Sequence, residues 1–526
     1  MTRWTPRRWR VERRRGTGSV FRAIKALSLL VALLTVVFWT HAFYRFSGIT
    51  DQNWEEADAI FTPATKTDST IAAAQVRVTL NTSPRGKSLH EVILPSPASK
   101  PQLRETFKEQ PMSSGDWVST DTYLRTKLKL FLYSAYLDNR LAVPVVRVIG
   151  AYASVNGAQV SCRLEYASGE ASVVAATKKT INENWKLKYG AAFFLCPYSD
   201  DSDNPPPVRV RLKETYELQW SPSIPIWPLE TRPGEATGRF AVCVKPLHYK
   251  YDRVSWLAEF VEFNRIVGVD RFFFYNHSIG SNVDRLLRVY MEKGVVTSLP
   301  WNLDIKSQKE IRTEGLFAAL NDCVYRSMNH FDYVLVLDLD EFAVPRKDDS
   351  LPAMVTRLKR AAPRTMSYVL LNSFFYLYWE NDTTAYGALP ETAPLEIPYL
   401  LTQFKTRRSK KVFRVGSRSK YIVRPVAAVE VGNHVVWRYL VLDLFFIVIQ
   451  VVVTRQHNVC HQKMPCYNHY RICEFGGFDC IKQPSIVDRS ALRFNTSLLE
   501  RVNSVCAQAF PDVGRCPKAP GLGSPW

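Results

Sequence analysis

Strand and helix patterns alternate from residue 239 to 345, and this alternation limits the fold more than anything else in the chain. Phe240–Leu247 reads as a strand, Arg253–Val267 as a helix, Arg271–Tyr275 as a strand, and Asn282–Lys293 as a helix stopped by Gly294. Val295–Leu299 is a strand, and Lys306–His330 holds a further helix. Tyr333–Leu337 is apolar at every position, as a strand buried on both faces requires. Short links between such elements imply βαβ units around a parallel sheet, hence an α/β fold. GxGxxG and GxxxxGK[ST] are both missing, so dinucleotide oxidoreductases and phosphate-loop NTPases lose support.

Directly after Tyr333–Leu337 comes Asp338-Leu339-Asp340-Glu341-Phe342. Open α/β sheets bind ligands beyond the carboxyl ends of their strands. In extended chain Asp338 and Asp340 share a side. Two carboxylates there repel unless a divalent cation lies between them and a diphosphate. Oxygen donors favour Mn²⁺ or Mg²⁺, which would neutralise a leaving nucleoside diphosphate. The competing interpretation is a solvated acidic turn. A hydrolase is disfavoured, because the DxD spacing is too tight for an opposed acid and base.

The N-terminus sets the compartment. Residues 1–25 hold nine Arg and Lys against Glu12 alone, a large share of the net charge of +20. Ala26–Tyr44 follows, 19 residues without Asp, Glu, Lys or Arg. About 20 apolar residues span a bilayer, and the basic flank stays cytoplasmic. The expected order is a cytoplasmic tail 1–25, one transmembrane signal anchor 26–44 and a Thr/Ser/Pro-rich stem 45–117; a cleaved signal peptide is the rival. All ten cysteines lie beyond the anchor, which suggests disulfides in an oxidising lumen. Cys460, Cys466 and Cys473 with His461 and His469 offer a zinc alternative. Sequons occur at Asn81, Asn276, Asn381 and Asn495.

Residues 118–230 read as a β-rich accessory domain, with strands at Leu130–Tyr136, Val145–Ala153, Gln159–Glu165, Ala191–Cys196, Val208–Leu212 and Thr215–Leu218. Residues 231–515 form the α/β domain.

FAVCVKPLHYKYDRVSWLAEFVEFNRIVGVDRFFFYNHS, NDCVYR, DYVLVLDLDEFAVP, KYIVRP with the later His434, and NHYR occur in that order. Together with the more N-terminal FLYSAYLDNR, they resemble glycosyltransferase family 92. The resemblance implies a GT-A-type nucleotide-binding sheet and an inverting mechanism. It implies transfer of β-linked galactose from a UDP-sugar to a glycan acceptor such as an N-glycan, in the Golgi membrane. Asp338 and Asp340 match the family's metal-binding DxD, with His434 as a third ligand and His469 as its competitor. Lys245 and Asn276, at the ends of the first two strands, are placed to contact the nucleotide. Glu380 and Asp382 in YWENDT are the candidates for the base on the acceptor hydroxyl. Tyr376, Tyr378 and Trp379 are either a sugar platform or core.

Nine Lys and Arg lie between Lys405 and Arg424 with no acid among them. Nucleic acid is not the expected partner of a lumenal domain; screening of a diphosphate fits better. Tyr439–Val453 is apolar and departs from the family pattern, where a polar loop is expected. That departure motivates the alternative function, a catalytically inactive lumenal binding or adhesion protein on a degenerate transferase fold.

Overall fold

The computed structural model describes residues 115–121, 128–153, 158–183, 185–199, 205–228, 239–328, 330–384, 398–440, 449–451, 466–473 and 477–518. The tail, the anchor, most of the stem and the sequon Asn81 lie outside them. Among the described residues no helix is long and apolar enough to cross a membrane.

Eight strands come first: β1 (Val118–Ser119), β2 (Phe131–Asp138), β3 (Val145–Ala153), β4 (Val160–Glu165), β5 (Ala171–Thr180), β6 (Tyr189–Pro197), β7 (Arg209–Glu214) and β8 (Ile224–Trp227). They pair in the order β1-β2-β3-β6-β5-β4-β7-β8, and β8 pairs again with β2. The second pairing closes the sheet into a barrel, which removes its exposed edges. Val146, Val148, Ala192, Phe194, Val210 and Leu212 fill the interior, where Cys162 and Cys196 are bonded. The alternate residues Tyr133, Ile149, Ala191 and Phe193 point the other way and are also buried. A period-two strand buried on both faces must therefore have a second layer against its outside. Thr215–Leu218, expected as a strand, is a turn and loop, because the exposed Tyr216 and Leu218 have no apolar face to enter. β5 and β8 were not expected from the pattern.

The second layer is the α/β sheet. Its elements are β9 (Phe240–Cys243), α1 (Val254–Ile266), β10 (Arg271–Asn276), α2 (Ser281–Glu292), β11 (Val296–Pro300), α3 (Leu316–Ser327) and β12 (Tyr333–Val336). There follow β13 (Glu341–Ala343), α4 (Leu351–Ala361), β14 (Thr365–Tyr376), α5 (Leu401–Phe404), β15 (Arg407–Ser409) and β16 (Lys420–Val423). Next come β17 (Ala428–Val431), β18 (Val436–Tyr439), β19 (Ile449–Val451), β20 (Cys466–Arg471), β21 (Ser485–Val487) and α6 (Asn495–Ala509). The order is β11-β10-β9-β12-β16-β14-β20-β13, with β19 beside β14. The first four strands are parallel and β16 runs against β12. Phe240, Val242, Phe272 and Leu335 face α1, α2, α4 and α6. Ala241, Phe273, Val334 and Val336 face α3 and the outer wall of the barrel. Barrel and sheet thus share one core.

The seam between them also holds a polar network. Asp322 on α3 accepts from Tyr136 Oη at 2.7 Å, Tyr275 Oη at 2.7 Å and Arg326 Nε at 2.9 Å. Asp138 pairs with Arg140 at 2.8 Å and Arg147 at 2.9 Å. FLYSAYLDNR and NDCVYR therefore meet each other. Further disulfides join Cys243 to Cys323, Cys473 to Cys480, and Cys506 to Cys516. Cys466 is disulfide-bonded as well, so with Cys473 also oxidised the zinc cluster does not form. Of Tyr439–Val453, residues 441–448, 452 and 453 fall outside the described residues.

Candidate active site

Strand order decides where a crevice opens. From β9 the chain moves outward to β10 and β11, then returns to place β12 on β9's other side. Adjacent strands whose connections leave in opposite directions open a gap at their carboxyl ends. Lys245 follows β9 and Asp338 follows β12, and Lys245 Nζ lies 3.4 Å from Asp338 Oδ1. Neighbouring β16 is antiparallel, so its first residue arrives at the same end. That residue is Lys420, fully buried, with Nζ 3.3 Å from Asp338 Oδ2, 3.1 Å from Glu341 Oε2 and 2.8 Å from Asn433 Oδ1. Three acceptors match the three donors of an ammonium.

Asp338 and Asp340 reach this crevice by a turn, not by extended chain: Glu341 N donates to Asp338 O at 3.0 Å, and β13 begins there. Glu341 is buried, and its carboxylate accepts from Asp338 N at 2.7 Å. β13 pairs with β20, which sets Glu341 opposite His469. His469 Nε2 is 3.5 Å from Asp340 Oδ2, and its Nδ1 is 3.5 Å from Glu341 Oε1 and 3.1 Å from Asn372 Nδ2. Asn372 Oδ1 lacks a bond, so the reversed amide, with oxygen toward Nδ1, suits the pair better.

Charge sorts the carboxylates. Burial pushes Asp338 up, but Lys245 and Lys420 outweigh it and hold it well below the usual range. Burial opposes ionisation of Asp340 too, and His469 and Lys245 bring it down. Glu341 moves the other way, raised by burial despite Lys420. His434 is pushed down to about 4, by burial and then by Lys420. It is therefore neutral at pH 7, with Nδ1 3.1 Å from the Ser419 carbonyl and Nε2 3.4 Å from Asn433 Nδ2.

The donor set fits a divalent cation. Two carboxylates and an imidazole suit Mn²⁺ better than an all-oxygen ion such as Mg²⁺. Two ligands on an ion at about 2.1 Å each stand about 3 to 3.5 Å apart, which covers the separation of Asp340 and His469. A ligand histidine ordinarily gives its other N–H to a carboxylate or amide, as His469 can to Glu341 and Asn372. His469 matches that arrangement more closely than His434. Among the described residues no three such side chains form a closed cage, because Asp338 is turned to the lysines.

The other expected residues are spread more widely. Asn276 ends β10, one strand beyond Lys245, half-buried. Asp382 is tied to Thr406 Oγ1 at 2.7 Å and Arg489 Nε at 2.8 Å, a fixed loop anchor; partial burial pushes its carboxyl up, but bonds from Thr384, Thr406 and Arg489 outweigh it and hold it well below the usual carboxylate range. Glu380 is exposed. Tyr376 and Trp379 are buried, and Trp379 Nε1 donates to Ile481 O, which makes them core and not a platform. The basic run divides: Lys405 and Arg408 are buried, with Arg408 paired to Asp488 at 2.8 Å, while Lys410, Lys411 and Arg414 are exposed. Glu341 and Lys420 are the site residues that sequence reasoning missed.

A doubly covered α/β sheet with a carboxylate- and lysine-lined crevice at its strand reversal places the candidate site where open α/β folds bind their ligands. Residues 238–496 match the family model of glycosyltransferase family 92, and this part of the chain is similar to a glycosyltransferase domain. A β-1,4-galactosyltransferase of Caenorhabditis elegans is 23% identical over 235 residues, covering 42% of this chain and 53% of that protein. The chain thus spans about half the length of the curated relative it matches. Among solved structures, Staphylococcus aureus TarS (residues 1–349) is 13% identical with a TM-score of 0.21, covering 36% of this chain and 48% of its own. Glucosyl-3-phosphoglycerate synthase from Mycobacterium tuberculosis, solved with Mn²⁺, UDP and glucosyl-3-phosphoglycerate, is 12% identical with a TM-score of 0.18, covering 38% and 65%. Neither structural likeness bears on function.

Proposed function

We propose that this chain transfers a hexose from a UDP-sugar to a glycan acceptor such as an N-glycan, with inversion to a β-linkage. The hexose proposed is galactose, in keeping with the name of the nematode relative. The observation that carries the reading is the meeting of Asp338 and Asp340 with Lys245, Lys420 and His469 at the strand reversal. Asp338, Asp340 and His469 would hold Mn²⁺ or Mg²⁺, with His434 beside them. Bound there, the ion supplies charge neutralisation for the departing diphosphate. Lys245, about a third exposed, would turn from Asp338 to a phosphate oxygen. Lys420 stays behind, pinned by Asn433 and Glu341, and keeps the carboxylates ionised and close. The same reading puts the domain in the Golgi lumen behind the anchor at 26–44, supported by the basic flank and the disulfides.

The test is a screen of the purified full chain with each UDP-sugar, with and without manganese. Asp340→Ala should abolish divalent-dependent transfer while leaving the thermal midpoint in place. Undiminished turnover in that variant ends the metal assignment.

A further inference from the structure

The residues joining barrel to sheet include a group that the donor site does not use. The loop after β5 reaches the β17–β18 hairpin: Asn182 N donates to Glu430 Oε1 at 2.9 Å. Glu183 then accepts from Trp437 Nε1 at 3.0 Å and, more weakly, from Asn433 N at 3.4 Å. Asn433 in turn accepts from Lys420, which pairs with Asp338. Glu183 is therefore two side chains from the DxD turn. The approach is so close that a Cβ on Gly432 would stand 2.3 Å from Trp437 Nε1 and 2.4 Å from Glu183 Oε1. Glycine is what allows the indole and the carboxylate to rest on the hairpin backbone.

Trp437 nevertheless keeps 41% of its surface exposed, and Trp185, on the same loop as Glu183, keeps 61%. Trp185 and Lys186 both take left-handed backbone, at φ +56° and +55°, a strain usually retained for a reason beyond packing. Arg312 covers one side of Trp185, 4.3 Å from its ring centroid. The one polar atom of Trp437 is satisfied, so its ring is held while part of it stays in solvent. Isolated indoles beside a half-buried carboxylate make a poor apolar docking patch. They suit a pyranose, which offers C–H faces to aromatic rings and hydroxyls to a carboxylate.

We propose that Glu183 and Trp437, seated on Gly432–His434 and flanked by Trp185, form the subsite for the acceptor sugar, a neutral pyranose. The barrel then supplies part of acceptor recognition. The inference rests on reading Asp338 and Asp340 as the donor site, and deepens it.

Two measurements on the full chain in detergent micelles separate the claims. Saturation-transfer NMR with methyl glycosides of glucose, galactose, mannose, fucose and N-acetylglucosamine reports the acceptor sugar, and calorimetry with UDP and Mn²⁺ reports the donor. Wild type should show transfer to at least one glycoside. Trp437→Ala and Glu183→Gln should weaken that binding about ten-fold or more while UDP affinity stays within about two-fold. Trp437→Phe, which keeps a stacking face, should retain most of it. The subsite is overturned if wild type binds no glycoside, if Trp437→Ala binds as well as wild type, or if UDP affinity falls in parallel. Glycoside binding that depends on Trp437 in a protein that binds no UDP would sink the donor reading and leave the subsite standing.

Discussion

Asp322→Asn tests whether the NDCVYR segment is scaffold or chemistry. The Asp322 carboxylate is fully buried and takes four donors: Tyr136 Oη, Tyr275 Oη, Arg326 Nε and Arg326 Nη2, the last at 3.1 Å. Arg326 has 1% of its side chain exposed, so its charge has no recourse to water. Asparagine keeps the shape but removes the charge and sets an NH₂ against N–H and O–H donors. Breaking a buried ion pair by changing one partner costs about 3–5 kcal/mol. A tyrosine hydroxyl can rotate to accept from the new amide and recover about 1 kcal/mol, which leaves about 2–4. At a urea slope of about 3 kcal/mol/M, the midpoint should fall by about 1 M. The assay is urea unfolding followed by tryptophan fluorescence, with UDP affinity measured on the native protein. UDP affinity should hold, since Asp322 bonds across the barrel seam and not to the DxD turn. An unchanged midpoint, or lost UDP binding at an unchanged midpoint, would refute the argument.

Glu341→Gln retains an acceptor for Asp338 N but gives up the charge facing Lys420 and His469. The manganese concentration for half-maximal transfer should rise about 10- to 100-fold with little loss of kcat at saturation; an unmoved manganese titration would contradict this. Glu259 is buried under α5 and pushed up to about 7, burial outweighing the bonds from Leu401 N, Thr402 N and Thr402 Oγ1. Its folded pKa is raised, so its stabilisation is full below the unfolded value near 4.5 and is lost as pH rises through about 7. Between pH 4.5 and 8, Glu259→Gln should gain on wild type by about 3 kcal/mol in chemical unfolding, and a pH-independent difference would remove burial as the cause.

The parallel half of the sheet could be read from the chain because buried parallel strands are apolar throughout and the helices between them are long. Lys245 and Asp338 followed, as strand-end residues on neighbouring strands. Lys420 and His469 arrive on β16 and β20, which join the sheet from far along the chain, and such pairings leave no local trace in sequence. Lys420 was further hidden in a basic run whose members have unrelated fates. The barrel was half legible: its strands alternate, but closure depends on β8, a four-residue strand containing Pro225, pairing with β2. YWENDT offers Glu380 and Asp382 as candidate bases, and nothing local reveals that Arg489 claims Asp382.

The same geometry explains why the barrel seam is polar at its edge when an apolar one would hold the layers together as well. Arg140 donates to the carbonyls of Val426 and Ala428, each at 3.0 Å, and Tyr325 Oη to Val429 O at 3.0 Å. Asn321 donates to Val431 O and accepts from Val431 N, both at 2.9 Å. These bonds end on β17 and the short turn before it, which carry Gly432, Asn433 and His434 toward Lys420. Apolar contact resists separation but tolerates sliding, whereas directional bonds to successive backbone groups fix register. A slip of the hairpin by one residue would withdraw Asn433 from Lys420 and present the opposite face of β17. Arg140, Asn321 and Tyr325, but not Asp322, therefore act on the carboxylates from a distance, by setting where the hairpin stops.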